Sequence, residues 1–292
     1  MSDIFEDIKY KSNELLKNHT TMRVGGPAKY LFMPKDAYDI KRIIEYCELE
    51  HEDYYIIGNG SNIIFTDEGF DGIIIKIGGL MNECSVDGEV IYAESGCLLS
   101  KVANMAKDNS LTGMEFAAGI PGTLGGAVVM NAGAYGGEMK DIIEYADVLN
   151  ADGSIKRYTN EELKFGYRKS AIGYEDIVIS AGIRLKKGDK SEIEAKMLEL
   201  KEKRTSKQPL EYPSSGSTFK RPEGMFAGKL IEDAGLKGYR VGGAMVSKKH
   251  AGFVINYDNA TAEDILKLIE DVRNTVNDKF KVMLEPEVKI IR

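Results

Sequence analysis

Residues 119–138 read GIPGTLGGAVVMNAGAYGGE, and this stretch constrains the fold more than any other in the 292-residue chain. Glycine is crowded there, yet the stretch also holds Ile, Val, Met and Pro121, and no lysine or arginine. A flexible linker is rich in Gly and Ser and poor in such apolar residues, and Pro121 stiffens the backbone further. Glycine and apolar residues together suit backbone pressed against a large flat or phosphate-bearing ligand, because backbone N–H groups bind phosphate without help from cations. A tightly packed structural crossover would have the same composition. A second glycine loop, GNGSN at Gly58–Asn62, directly follows the apolar run Tyr54–Ile57. Its glycines permit positive φ and close backbone approach, while Asn59, Ser61 and Asn62 add side-chain hydrogen bonds; a plain tight turn is the other reading. Neither loop is a Walker A loop or a full G-x-G-x-x-G. From the residues alone, the two loops read as halves of a cofactor cradle.

The rest of the chain alternates helices and strands. Ile40, Ile43, Ile44 and Cys47 share one helical face behind Asp36 as a cap. Buried strands are expected at Tyr54–Ile57, Gly72–Gly78 and Gly88–Ser95, with a helix over Leu98–Ser110. Asp152-Gly153 marks a hairpin turn. Thr159 with Glu162, and Ser191 with Glu194, match capping boxes; the first is expected to open a short helix and the second a long one reaching about Arg204. The polar run after it reads as a domain boundary. Beyond it Ile265, Leu268, Ile269, Val272 and Val276 follow helical spacing, and the chain ends on a strand. The formal charge of −7 argues against nucleic-acid or anionic-membrane partners. No apolar run reaches the roughly 18 residues that suggest a membrane span, and the N-terminus lacks the order of a signal peptide. Three cysteines and three histidines stand in no metal-like spacing. These features suit a cytoplasmic chain with no metal.

GMEFAAGIPGTLGGAVVMNAGAYGGE also resembles a motif of the UDP-N-acetylenolpyruvoylglucosamine reductase family. The segments NHTTMRVGGPAKY, GNGSN, FGYRKS, YPSSGSTFKRPEG, AGKLIEDAGLKGYRVGGAMVSKKHAGFVIN and LEPEV match that family in the same order, over nearly the whole chain. The resemblance implies an α+β / α/β architecture: an FAD-binding fold of the vanillyl-alcohol-oxidase (PCMH) type in two subdomains, plus an α/β substrate-binding domain. The boundaries expected are residues 1–79 with 281–292, residues 80–203, and residues 204–280. Little chain separates Arg168 from Ser217. That points to the shorter form of the family, without an extra substrate-covering loop.

The resemblance implies non-covalent FAD, NADPH as reductant and a nucleotide-sugar substrate. A hydride would reach the methylene carbon of an enolpyruvyl ether, and a proton the neighbouring carbon. It further implies Arg168 as the cation for the substrate carboxylate, Ser217 as proton donor and Glu287 as acidic partner. Read without it, these are a surface arginine, a turn serine and an edge-strand carboxylate, and Glu285 alternates with Glu287 on one strand face. Lys207, Lys220 and Arg221 would neutralise diphosphate or form a solvated basic loop, with Tyr167 and Tyr212 as ring or ribose contacts. FAD contacts are expected from Gly58, Asn59, Gly60, Ser61 and Asn62. Further contacts are expected from Gly119, Ile120, Pro121, Gly122, Thr123, Gly125 and Gly126, and from Asn131, Gly133 and Ala134. Two rivals stand beside this reading: a sugar or alcohol oxidase of the same fold, marked by turnover with oxygen, and a colourless nucleotide-sugar binding protein without FAD.

Overall fold

Strand Ile177–Arg184 buries neighbouring residues instead of alternating ones, as a strand covered on both faces does. It is the middle of a five-stranded sheet in the order Ile155–Thr159, Ile143–Leu149, Ile177–Arg184, Val90–Glu94, Cys84–Asp87. Every pairing in that sheet is antiparallel. A second sheet has the order Lys9–Leu15, Pro27–Met33, Phe70–Lys76, Tyr54–Ile57. These elements come from a computed structural model that describes residues 5 and 7–292.

The chain divides into two compact units. One comprises Met1–Tyr10, Phe32–Asn59 and Ile74–Arg204; the other comprises Lys11–Leu31, Gly60–Ile73 and Thr205–Arg292. The division after Arg204 falls one residue from the expected boundary, whereas the expected first subdomain, residues 1–79, contributes to both units.

In the first unit, helix α1, Ala37–Glu50, starts where the Asp36 carboxylate accepts the Asp39 N–H at 2.8 Å. It buries Ile40, Ile43 and Cys47. Helix α2, Leu99–Asp108, and the short helix α3, Leu124–Val129, pack into the same core as Ile91, Ala181 and Ile183. Helix α3 lies inside the glycine-rich stretch and buries Leu124, Ala127 and Val128. The apolar residues of that stretch therefore anchor it to the core.

Two capping expectations are corrected. Thr159 and Glu162 do exchange backbone-to-side-chain bonds, at 2.9 and 3.3 Å, but they close only a turn. Lys164 enters the left-handed region at φ 42° and Gly166 follows, so no helix propagates. Helix α4, Lys190–Lys207, is capped by Asp189, whose carboxylate accepts the Ser191 and Glu192 N–H groups at 2.8 and 3.1 Å. It also runs three residues beyond Arg204. The Asp152-Gly153 hairpin forms, with residues 150–154 as its loop.

In the second unit, helix α5, Ala227–Asp233, buries Ala227 and Ile231. Helix α6, Ala262–Phe280, buries all five of the residues with helical spacing and shares their core with Ala244, Val246 and Val254. The last three lie in a sheet of order Arg240–Val241, Ala244–Val246, Val254–Asn256. Strand Lys289–Ile291 pairs in parallel with Ile63–Phe65. Helix α6 has a capping box from Thr261 and Asp264, and Asp67 adds a second cap by accepting the Ala262 and Glu263 N–H groups at 2.9 Å each. Asp67→Ala should lower stability by about 0.5–2 kcal/mol, the range for a lost cap. A reduced urea midpoint with an unchanged slope is the expected reading; an unchanged midpoint would mean that Thr261 suffices.

Candidate functional site

In the first unit the two glycine loops are tied together. Asn59 Nδ2 donates to the Pro121 carbonyl at 2.7 Å. A Cβ on Gly58 would stand 2.2 Å from Thr123 Oγ1, so only glycine lets the loops meet. Residues 122–125 run against residues 95–99. Leu99 N–H donates to Gly122 O at 3.0 Å, Leu124 N–H to Cys97 O at 2.8 Å, and Gly125 N–H to Ser95 O at 2.9 Å. A Cβ on Gly125 would stand 2.9 Å from the Ser95 Cβ. Gly58 and Gly125 are thus fixed by protein packing.

Gly126 differs. It is exposed, and a Cβ there meets nothing nearer than Thr123 Oγ1 at 3.8 Å. Gly119 is exposed too, and Arg204 lies against it, with Nη1 3.0 Å and Cδ 3.2 Å from the position of a Cβ. Ile120 and Gly122 are half-buried, Pro121 is exposed and Thr123 is buried. The paired loops therefore present an open glycine floor at Gly126 with a guanidinium beside its start at Gly119. That fits a flat, anionic cofactor such as FAD. Arg204 is a residue the sequence reading passed over. Burial pushes its pKa down, and the charge of the Tyr135 side chain opposes this.

The second half of the stretch turns inward. Asn131, expected at the cofactor, is fully buried, with φ 41°. Its Nδ2 donates to Glu138 Oε2 and to Gly166 O, each at 3.0 Å, and its Oδ1 accepts the Lys140 N–H at 2.9 Å. The expectation of a cofactor contact is corrected for this side chain, because protein groups engage it on every side. Gly133 and Ala134 pair with Glu138 and Gly137 and are half-buried. Gly166 and Lys169 exchange backbone bonds of 2.9 and 3.3 Å around Tyr167 and Arg168. Arg168 sits in that turn at φ 56°, half-buried, with Nη2 3.5 Å from Gly133 O. Tyr167 is exposed, and the Arg168 guanidinium lies 5.2 Å from its ring centroid. The Lys140 ammonium, 2.8 Å away, holds the Glu138 carboxyl below the usual range; burial opposes it, and the Asn131 bond and the Arg168 charge assist.

The second unit holds the remaining residues. Gly60 takes φ 63°, and a Cβ there would stand 2.1 Å from His19 O. Ser61 is half-buried, and Asn62 Nδ2 donates to Glu287 O at 3.1 Å. Thr218 is the hub. Its N–H donates to Gly252 O, its hydroxyl oxygen accepts the Val254 N–H, each at 2.9 Å, and its carbonyl accepts the Glu287 N–H at 2.8 Å. Lys220 N–H donates to Glu285 O at 2.9 Å, and Phe219 bridges Pro286. Segment 218–220 therefore runs antiparallel to 285–287. That brings the exposed Ser217 next to the extended segment carrying the half-buried Glu287. Glu285 is separated from it: its side chain is 72% exposed and pairs with Lys220 at 3.1 Å. Lys207, the last residue of α4, and Arg221 are exposed, and Arg221 lies over the Phe226 ring at 4.5 Å. Tyr212 stacks obliquely on Tyr257, 5.2 Å between centroids, and packs against Met245, Phe253 and Ile255.

The chain is similar to known proteins over nearly its whole length. Residues 208–291 match the family UDP-N-acetylenolpyruvoylglucosamine reductase, C-terminal domain, and residues 28–159 match the family FAD binding domain. A UDP-N-acetylenolpyruvoylglucosamine reductase of Caldanaerobacter subterraneus subsp. tengcongensis is 49% identical over 100% of this chain and 96% of its own length. One from Agathobacter rectalis is 51% identical over 96% of this chain and 93% of its own. The crystal structure of the reductase from Thermus caldophilus superposes with a TM-score of 0.85 at 37% identity, covering 98% of this chain and 99% of that one. Phl p 4.0202, a glucose dehydrogenase, is similar in fold alone, with a TM-score of 0.50 at 14% identity over 64% of this chain and 44% of that one. Among the described residues no helix is long and apolar enough to cross a membrane. With full-length identity near one half and both domains matched, the chain belongs to the UDP-N-acetylenolpyruvoylglucosamine reductase family.

Proposed function

We propose that Arg168, Ser217 and Glu287 carry the reduction of UDP-N-acetylglucosamine enolpyruvate to UDP-N-acetylmuramate, a step of peptidoglycan precursor synthesis, with NADPH as the reductant. The observation that supports these roles most is the pairing of 218–220 with 285–287, which sets Ser217 beside the segment that carries Glu287 while the Glu285 side chain is exposed and paired with Lys220.

FAD, when bound, supplies the hydride that the methylene carbon of the enolpyruvyl ether accepts. Gly58–Asn62, Gly119–Gly126 and the backbone of Gly133 and Ala134 would hold it, and Arg204, which lies against Gly119, would add a positive charge that favours an anionic cofactor. Arg168 takes the substrate carboxylate with two parallel N–H donors. Negative charge grows on that carboxylate as the new C–H bond forms, so the guanidinium favours the transition state over the ground state. Ser217 Oγ donates its proton to the alpha carbon, which completes the two-electron reduction of the double bond. Glu287 serves as the acidic partner of the enolate-like intermediate. Lys207, Lys220 and Arg221 neutralise the diphosphate, and Tyr167 and Tyr212 border the sugar and base. The substrate-binding domain of this reading is residues 204–280, beside an FAD-binding region of residues 1–79 with 281–292 and residues 80–203.

Gly126→Val tests the cradle. Open space surrounds the Gly126 Cβ position, so the protein should fold with an unchanged far-ultraviolet spectrum yet purify with little FAD. A full complement of FAD would refute the cradle. Arg204→Gln should weaken FAD binding roughly 10-fold to 100-fold, the worth of a charged hydrogen bond, measured by equilibrium dialysis. Ser217→Ala tests the proton donor. Reduction of the flavin by NADPH should stay near its normal rate. Reoxidation by the enolpyruvyl substrate should slow by roughly 10²-fold to 10⁴-fold, read by stopped-flow absorbance of each half-reaction. Equal slowing of both halves would return Ser217 to a turn residue.

A further inference from the structure

The inner half of the glycine-rich stretch is built around one amide. Asn131 is fully buried and makes three hydrogen bonds, to Glu138 Oε2, Gly166 O and Lys140 N–H. The Gly166 carbonyl opens the tight turn that carries Tyr167 and Arg168. Ser170, just past the turn, donates its hydroxyl to Val129 O at 3.0 Å. The turn is therefore pinned on both sides to residues 129–131. Arg168 is held in a left-handed conformation, φ 56°, that a non-glycine residue keeps only when its neighbours impose it. Its guanidinium reaches Gly133 O, and Gly133 is paired to Glu138. Glu138 is fixed in turn by Asn131, by Lys140 at 2.8 Å, and by a reciprocal cap with Asp141. A negative carboxylate thus stands in the electrostatic field of Arg168, on the same pair of short strands that the guanidinium touches.

We infer that Asn131 is a positioning residue for Arg168: its amide locks the 166–169 turn to the Glu138 carboxylate, so that the guanidinium is held in place before the substrate carboxylate arrives. Asn131 bonds both the turn backbone, at Gly166 O, and the Glu138 carboxylate. An amide suits the task because its two N–H donors serve the two acceptors while its oxygen takes the Lys140 N–H. An aspartate of the same shape would bring a second carboxylate against Glu138 and lose both donors. The inference rests on the proposed role of Arg168 at the substrate carboxylate.

The test uses the purified holoenzyme and the two half-reactions. Asn131→Ser loses the bridge and keeps a small polar group. Its FAD content and its reduction by NADPH should stay within about twofold of the parent, while reoxidation by the enolpyruvyl substrate slows about 10-fold to 100-fold, the scale of a small misplacement of a catalytic group. The loss should fall on kcat more than on KM. Arg168→Lys should also slow reoxidation, and the double variant should be slower than Arg168→Lys by less than about twofold, because residues that act as a unit are not additive. Losses that multiply, an unchanged rate, or equal slowing of both half-reactions would overturn the inference. If Asn131→Ser does not fold, Glu138→Gln takes its place. It retains an acceptor for the amide but removes the charge, and should slow reoxidation about 3-fold to 10-fold, again non-additively with Arg168→Lys; an unchanged rate there would overturn the inference as well. Arg168→Lys alone separates the two ideas. A normal rate in that variant would defeat the role given to Arg168 itself, whereas a slow Arg168→Lys beside a normal Asn131→Ser would defeat only the positioning.

Discussion

The close approach of residues 122–125 to residues 95–99 is the constraint on which the first unit's candidate site depends. Three backbone hydrogen bonds hold it, and the side-chain hydrogen of Gly125 is the largest group that fits beneath Ser95. With that segment fixed, Leu124 and Val128 can reach the core, Thr123 can face Gly58, and Asn59 can bond Pro121. The chain thus obtains a fixed floor from a stretch whose apolar residues and Pro121 already set it apart from a flexible linker. Rigidity matters to a cofactor site because ordering a mobile loop on binding would consume part of the binding free energy.

The second unit solves a related problem with one hydroxyl. Thr218 satisfies Val254 with its side chain, and Gly252 and Glu287 with its backbone, so the residues on either side of it inherit a fixed geometry. Ser217 is exposed yet leashed to a buried neighbour. The ion pair of Lys220 with Glu285 adds little to this, because both side chains lie in solvent and an exposed pair is worth only about 0–1 kcal/mol. Its consequence is one of sorting: it draws Glu285 away from the residue two positions later.

Much of this was legible in the sequence where periodicity speaks. The apolar spacing of α6, the α1 cap at Asp36 and the strand at Tyr54–Ile57 all appear as read. The misreadings share a cause, which is that one residue type serves several physical ends. Ser191 and Glu194 had the right spacing for a cap, but Asp189 stood closer to the first free N–H groups. Glycines demanded by Thr123 or Ser95 look the same in sequence as the glycine at Gly126, which no protein atom demands. Asn131 sits in a glycine loop, as ligand-binding asparagines do, and only its burial shows that it faces inward. Arg204 stands among Lys201, Lys203 and Lys207 in a polar run, and no pattern there separates the one guanidinium beside Gly119 from its neighbouring cations.

The second unit is assembled from Lys11–Leu31, Gly60–Ile73 and Thr205–Arg292. The Asp67 cap on α6 joins partners 195 and 196 residues apart, and the parallel strand pair joins Lys289 to Ile63. On the ribosome the chain emerges from its N-terminus. The first unit's segments are therefore all made before the last of these three appears. During that interval Met22, Val24 and Ile64, which end fully buried, have no core to enter. Such exposed apolar segments, waiting for distant partners, are the ones that chaperones recognise and that aggregate when synthesis outpaces folding. The segmented layout thus makes the timing of synthesis, and not only the final packing, a determinant of how much active enzyme a cell obtains.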